Sequence, residues 1–378
     1  MNYQDKALKA HKKLRGKITI NAKDSLDSLE KLSIYYSPGV GAVSSFLAKN
    51  PQETRNYTWV NNSVAVVSDG SAVLGLGNIG PKAALPVMEG KAMIFKEFAG
   101  IDAVPIVLDV HTADEIVRVV KAIAPSFGGI NLEDIAAPLC FEVEERLKKD
   151  LDIPVMHDDQ HGTAIVVLAG LINATKITGR SLSETKIVCL GVGAAGTAIL
   201  KLLFKYANPK ELIAVDSQGI LSSKRNDLNP DKDGLLRFTN GRDVQGTIED
   251  ALVAADIFIG VSRPNVVTKE MIKSMHKDPI IFAMANPEPE IQPHDALDAG
   301  AAIVATGRSD FPNQVNNALV FPGIFRGALD NGVEHITDDH KIRAAEALAA
   351  LVEKPTKDSI IPSVLDKRVA PAIAKIIT

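Results

Sequence analysis

The 378-residue chain has only two cysteines, no apolar run long enough to cross a bilayer, and no tail dominated by charge of one sign. Each lack removes a class of protein. Cys140 and Cys189 stand far apart and without metal-ligand spacing, which excludes a disulfide framework or thiolate metal centre and points to a reducing cytoplasm. The longest apolar run, Ala164 to Ile172, is too short for a membrane span, and the lysine-studded first residues lack the apolar core of a secretion signal. A net charge of −4 without a basic tail argues against nucleic acid or an anionic membrane as a principal partner. What remains is a cytoplasmic protein acting on a small molecule. Its 46% hydrophobic and 23% charged residues are globular in proportion. The length exceeds what one core organises, so two domains are expected.

Periodicity places the boundary near residue 160. Before it, a charged helix and a short one over Asp24–Leu32 lead to Tyr36 and Pro38, and Ser63–Ser68 and Ala72–Leu76 read as a hairpin around Asp69-Gly70-Ser71. A strand over Val104–Asp109, a helix over Ala113–Ala124 and a strand over Gly129–Leu132 follow, making residues 1–160 an α/β domain. From Gly162 onward helices alternate with apolar strands at Lys186–Leu190, Leu212–Asp216, Ile257–Gly260, Ile280–Met284 and Ala302–Ala305. That alternation predicts a doubly wound, Rossmann-type parallel sheet in residues 161–378. Helices over Asp339–Glu353 and Pro362–Ile377 close the chain.

Two Gly-X-Gly-X-X-Gly segments compete for a dinucleotide. Gly191-Val192-Gly193-Ala194-Ala195-Gly196 follows a strand, opens a helix, and is followed at the end of the next strand by Asp216, where an acid would bind the ribose. The earlier match, Gly75 to Gly80, has no acid at the required place and reads as a substrate-side turn. Asp216 favours NAD over NADP, because a carboxylate accepts ribose hydroxyls and repels a 2′-phosphate; Lys224 and Arg225, just downstream, keep NADP open.

Carboxylates supply the remaining chemistry. Glu133-Asp134 and Asp158-Asp159 each end a short apolar strand, and together they suggest one divalent-metal site. His157 and His161 have the spacing of a zinc-protease pair, but Asp follows the first histidine and Pro154 makes His157 a strand end, against a shared helix face. Taken singly, Tyr36 is a loop residue and Lys91 a solvated one. Asn286, Asn316 and Asn317 are turn formers, with Asn286 beyond a strand's carboxyl end, where ligands bind.

In their order along the chain these segments closely resemble malic enzymes of the compact bacterial form. The likeness runs through Tyr36-Ser37-Pro38-Gly39-Val40, Asp69-Gly70, Gly90-Lys91, Glu133-Asp134, His157 to Ala164, the nucleotide turn, Asn286-Pro287 and Asn316-Asn317-Ala318. The resemblance implies oxidative decarboxylation of L-malate to pyruvate with NAD or NADP and Mg²⁺ or Mn²⁺. It implies Tyr36 as general acid and Lys91 as general base, with Asp158 in the proton network. Glu133, Asp134 and Asp159 would be the metal ligands, and Asn286 and Asn317, beside Asn316, would hold substrate or nicotinamide. One position departs: where longer members have a carboxylate-clamping arginine, this chain has Ala72.

Three rivals stay open. An oxaloacetate decarboxylase would use the same carboxylates without net redox. A nucleotide-binding regulator would keep the fold and lose catalysis. An amino-acid dehydrogenase would need no metal carboxylates. The leading helices, striped by Leu26, Leu29 and Leu32, are too short to form a core alone. A homodimer that exchanges them would carry Tyr36 into the partner's site.

Overall fold

Runs of valine and isoleucine, buried on both faces except in the half-buried edge strand Asp102–Val107, build two sheets in the computed structural model, which describes residues 3–378. The first contains β1 (Ser63–Ser68), β2 (Asp102–Val107), β3 (Gly129–Leu132) and β4 (Val155–His157), in the order β2-β1-β3-β4 and parallel throughout. The second contains β5 (Lys186–Leu190), β6 (Glu211–Asp216), β7 (Gly219–Ile220), β8 (Ile257–Gly260), β9 (Ile280–Ala283) and β10 (Ile303–Thr306). Its order is β10-β9-β8-β5-β6-β7, and only the short β7 runs antiparallel. The chain leaves β5 for β6 on one side and returns to β8 on the other, so a crevice opens beyond the carboxyl ends of β5 and β8.

One helix joins the two halves. Asp158–Thr178 is buried all round over Ala164–Leu171 and packs against Ala194–Ala207 and Asp338–Ala350. Its buried Asn173 donates from Nδ2 to the carbonyls of Ala349 (2.9 Å) and Ile360 (3.0 Å), satisfying an amide that would otherwise be costly to bury. This helix starts ahead of the expected Gly162, so Asp158 and Asp159 occupy its first turn, where the helix dipole favours negative charge.

Three sequence expectations are corrected. The hairpin after β1 does not form, because both edges of β1 are already paired to β2 and β3. Gly70, at φ +72°, instead turns the chain away, its carbonyl accepting from Ile79 and Gly80 at 3.2 Å, and Leu74–Leu76 is a single 3-10 turn. The second helix forms over Leu29–Tyr35, since Ser28 caps it by accepting the Lys31 N–H at 3.1 Å while Asp24 holds the Lys31 ammonium outside the helix. The final helix is confined to Val369–Ala374, because Ser363 and Asp366 side chains accept backbone N–H groups of Leu365 and Arg368 in turns.

Candidate active site

The carboxyl ends of β3 and β4 deliver the acids. One carboxylate oxygen from each of Glu133, Asp134 and Asp159 lies within 4.8 Å of the others. Asp134 sits at φ +53°, and its N–H donates to Asp159 Oδ2 at 2.9 Å, locking the two loops together. Asn131 Nδ2 donates to Glu133 Oε2 at 3.1 Å. Burial drives the Glu133 carboxyl well above its ordinary range; Lys91 pulls it back, while Asp159, Asp158 and Asp134 push it further up. Three carboxyl groups converging this closely, with oxygen donors only, fit a hard divalent cation, and Glu133, Asp134 and Asp159 are the residues that would hold it. Neither His157 nor His161 belongs to this cluster.

Lys91 reaches the same acids from the helix Pro81–Ala99. Its Nζ lies 3.0 Å from Glu133 Oε1, pairs with Asp158, and sits 4.4 Å over the Phe321 ring. Burial alone would lower its pKa, but Asp158, Glu133 and Asp159 outweigh burial and hold the ammonium charged. Phe321 is itself packed against Phe95 of the lysine's helix, centroid to centroid 4.7 Å. Asp158 is fully buried, and its Oδ1 has no hydrogen-bond partner among the described residues.

A cavity of about 540 Å³ runs from Asp134 and Asp159 to the nucleotide turn, while Glu133, Asp158 and Lys91 are not part of its lining. Asp134, Asp159, Ala194, Asn286, Asn316 and Asn317 all contribute to its wall. Asn317 comes close to the helix start because Gly162 has no side chain there; a Cβ would meet Asn317 Cβ at 3.0 Å. Asn316 is engaged as a cap, its Oδ1 accepting the Ala318 N–H at 2.9 Å. Gly75 of the earlier glycine segment lies against Asn286, whose carbonyl oxygen a Cβ would meet at 2.4 Å, and lines the same cavity. No lysine or arginine lines this cavity among the described residues, and Ala72 is part of its wall.

The later glycines divide their work. Gly191 holds φ +99° in a tight turn, and a Cβ on Gly196 would strike the Gly191 carbonyl oxygen at 1.8 Å, so the helix Ala194–Ala207 can pack on β5 only without one. Gly193 is open to solvent and precedes that helix with no side-chain cap, leaving its first N–H groups for a pyrophosphate. Asp216 stands at the end of β6 and lines a neighbouring cavity of about 670 Å³ with Gly191 and Gly193.

Tyr36 is not brought to the acids by its own chain. It closes the helix Leu29–Tyr35, 68% exposed, and lines neither cavity. Sequence reasoning missed Glu144, which accepts the His157 N–H on Oε1 (2.9 Å) and faces His161 Nε2 across 2.8 Å, tying the helix Leu139–Asp150 to β4 and the helix after it. Burial would raise its pKa, but His161, Lys148 and Lys341 hold it below the ordinary range. The signal was present: Glu144 falls on the apolar stripe of Cys140, Val143 and Leu147. Glu144→Ala strands the His157 N–H and is expected to cost about 1–3 kcal/mol, lowering the thermal midpoint by several degrees, with Glu144→Gln milder. Melting followed by circular dichroism checks this, and an unchanged midpoint for the alanine variant would refute the tie.

Residues 15–148 match the family model described as malic enzyme, N-terminal domain, and residues 160–377 the one described as malic enzyme, NAD binding domain. The chain is 54% identical over 378 residues to the bifunctional malic/malolactic enzyme of Bacillus subtilis, covering 99% of this chain and 92% of that protein. It is 50% identical over 371 residues to the NAD-dependent malic enzyme of Geobacillus stearothermophilus, covering 98% of this chain and 77% of that one. The crystal structure of the NAD-dependent malic enzyme of Thermotoga maritima superposes with a TM-score of 0.95 at 50% identity, over 98% of both chains. With both family models matched in order and the acids, asparagines and glycine turn meeting around one cavity, the chain belongs to the malic enzyme family.

Proposed function

We propose that this chain oxidatively decarboxylates L-malate to pyruvate and CO₂ with reduction of NAD or NADP, dependent on Mg²⁺ or Mn²⁺. The observation that carries the reading is the single cavity lined at once by Asp134 and Asp159, by Asn286 and Asn317, and by the start of the nucleotide-binding helix. Residues 1–160 supply the acids and residues 161–378 the nucleotide turn. When bound, the cation would supply positive charge at the substrate's C2 oxygen and the nicotinamide a hydride acceptor.

This chain's own groups do the rest. Lys91 takes the C2 hydroxyl proton as the C2 hydride departs, and the paired Asp158 carboxylate stabilises the ammonium so formed. Lys91 must first be neutral, and the charge on Glu133 and Asp158 opposes that until it is compensated at the cluster. Asn286 and Asn317 orient the substrate. The C4 carboxylate then leaves as CO₂, its bonding electrons pass toward C3, and Tyr36 protonates C3 to give pyruvate.

Tyr36 requires a second copy of the chain in this scheme. The helices Tyr3–Leu14, Leu29–Tyr35 and Val40–Lys49 bury no residue; Leu8, Leu14, Leu29, Ile34 and Phe46 lie exposed along them, and Leu26 is exposed in the segment ahead of the second. A homodimer covering that face would bring Tyr36 to the partner's acids. No described helix is long and apolar enough to cross a membrane, and a cytoplasmic setting suits a chain with two buried free thiols.

Incubation with L-malate, each nicotinamide nucleotide, and Mg²⁺ or Mn²⁺ tests the proposal. Reduced nucleotide and pyruvate should form in equal amounts, and a chelator should abolish both. Oxaloacetate loss without malate-dependent nucleotide reduction would favour the lyase instead. Lactate in place of pyruvate would favour the malolactic half of the Bacillus relative's name.

A further inference from the structure

Past the 3.0 Å bond from the Met284 N–H to the Gly260 carbonyl, the paired strands β8 and β9 continue as loops that carry Ser262 and Asn286. The backbone N–H groups of Ser262 and Ala285 lie beyond that rung and need an acceptor. Both find the same side chain. Glu290 Oε1 accepts the Ser262 N–H at 2.8 Å and the Ser262 hydroxyl at 3.3 Å, while Oε2 accepts the Ala285 N–H at 3.0 Å.

Glu290 is fully buried. Burial pushes its carboxyl up, and the Ser262 and Ala285 N–H groups pull it back. Its backbone is tied into the loop after β8 as well, the Pro289 and Glu290 carbonyls accepting the N–H groups of Asn265 (3.1 Å) and Val267 (3.0 Å). Room for the carboxyl exists because β8 ends in glycine. The three atoms nearest to a Cβ on Gly260 would be Cδ and both carboxylate oxygens of Glu290, at 2.4, 2.7 and 2.8 Å. A buried carboxylate shared by two loops fixes their separation, since moving either one strands a buried donor.

Those loops face the crevice. Ser262 stands on the walls of both the 670 Å³ and the 540 Å³ cavities, and Ala285 and Asn286 on the wall of the second. Glu290 lines neither. We infer that Glu290 is a positioning residue that holds the Ser262 and Asn286 loops in register at the nicotinamide end of the crevice without touching the cofactor. The inference rests on the nucleotide reading of the glycine turn and goes beyond it, because it assigns nicotinamide placement to a side chain outside both cavities.

Fluorescence titration of the full chain with NADH, beside calorimetric titration with 5′-AMP, tests this without turnover. Glu290→Gln sets an amide donor against one of the two backbone N–H groups, and should weaken NADH binding by about tenfold, the size expected for one stranded donor. Affinity for 5′-AMP should stay within about twofold, because the adenosine side rests on Gly191, Gly193 and Asp216, none of which Glu290 holds. Gly260→Ala drives the same carboxyl away from the opposite side and should reproduce the split with Glu290 unmodified, which keeps the test independent of any folding loss in the glutamine variant. A loss shared equally by the two ligands, or an unchanged NADH affinity in either variant, overturns the inference and leaves the nucleotide reading standing. Failure of the unmodified chain to bind either ligand overturns the nucleotide reading itself.

Discussion

Asp159→Ala is expected to lower kcat/KM for L-malate by about three orders of magnitude or more, the scale of several kcal/mol of charge stabilisation lost with the proposed metal ligand. NADH affinity should stay within about threefold of the original, because Asp159 reaches the nucleotide turn only across the cavity it shares with Asn286 and Asn317, whereas Asp216 lines the neighbouring cavity on the far side of Gly193. The substitution also removes the acceptor for the Asp134 N–H, a 2.9 Å bond. Asp159→Asn controls for that, since it keeps an oxygen in place while deleting the charge, and it should be nearly as inactive. Fluorescence titration with NADH alongside malate kinetics decides the matter. A parallel collapse of NADH binding in both variants would contradict the separation of metal and nucleotide sites.

Mixing two inactive chains should recover activity. Tyr36→Phe lacks the proposed acid and Asp159→Ala lacks the proposed metal ligand, so neither dimer alone contains a complete site. If Tyr36 serves the partner's acids, a mixed dimer contains one site made of two unmodified halves. Random exchange then restores about a quarter of the original activity, because half the dimers are mixed and each has one working site of two. The expectation rests on the 68% exposure of Tyr36 and on the three leading helices that bury nothing in the single chain. No recovery, with subunit exchange demonstrated by a tagged chain, would assign Tyr36 to its own subunit or to no site.

The nucleotide turn was legible because its requirements are local. Gly191, Gly193 and Gly196 answer to backbone sterics within one strand-turn-helix, and the two carboxylate pairs stand at strand ends that the apolar runs announce. The alternation of helices with strands from β5 onward was likewise readable, since each element follows from its own periodicity. The hairpin was misread for the opposite reason. β1 takes its partners from β2 and β3, starting 39 and 65 positions away in register, and nothing within Ser63–Leu76 reveals that both its edges are filled.

Side-chain environment lay further from reach. Lys91 is an ordinary lysine in its own helix, and becomes a buried, doubly paired ammonium only where Glu133, Asp158 and Phe321 converge from three other segments. Asp216 read as an acid with Lys224 and Arg225 downstream; that Lys232 also reaches it, from the short helix Pro230–Leu235, only folding decided. The sequence alone therefore determined the chemistry available to this protein and the order of its elements, because residue type and short-range spacing specify both. Which charges meet, and hence which are held ionised or compensated, was decided only by the tertiary structure, because electrostatic interaction depends on distance and burial that no single segment contains.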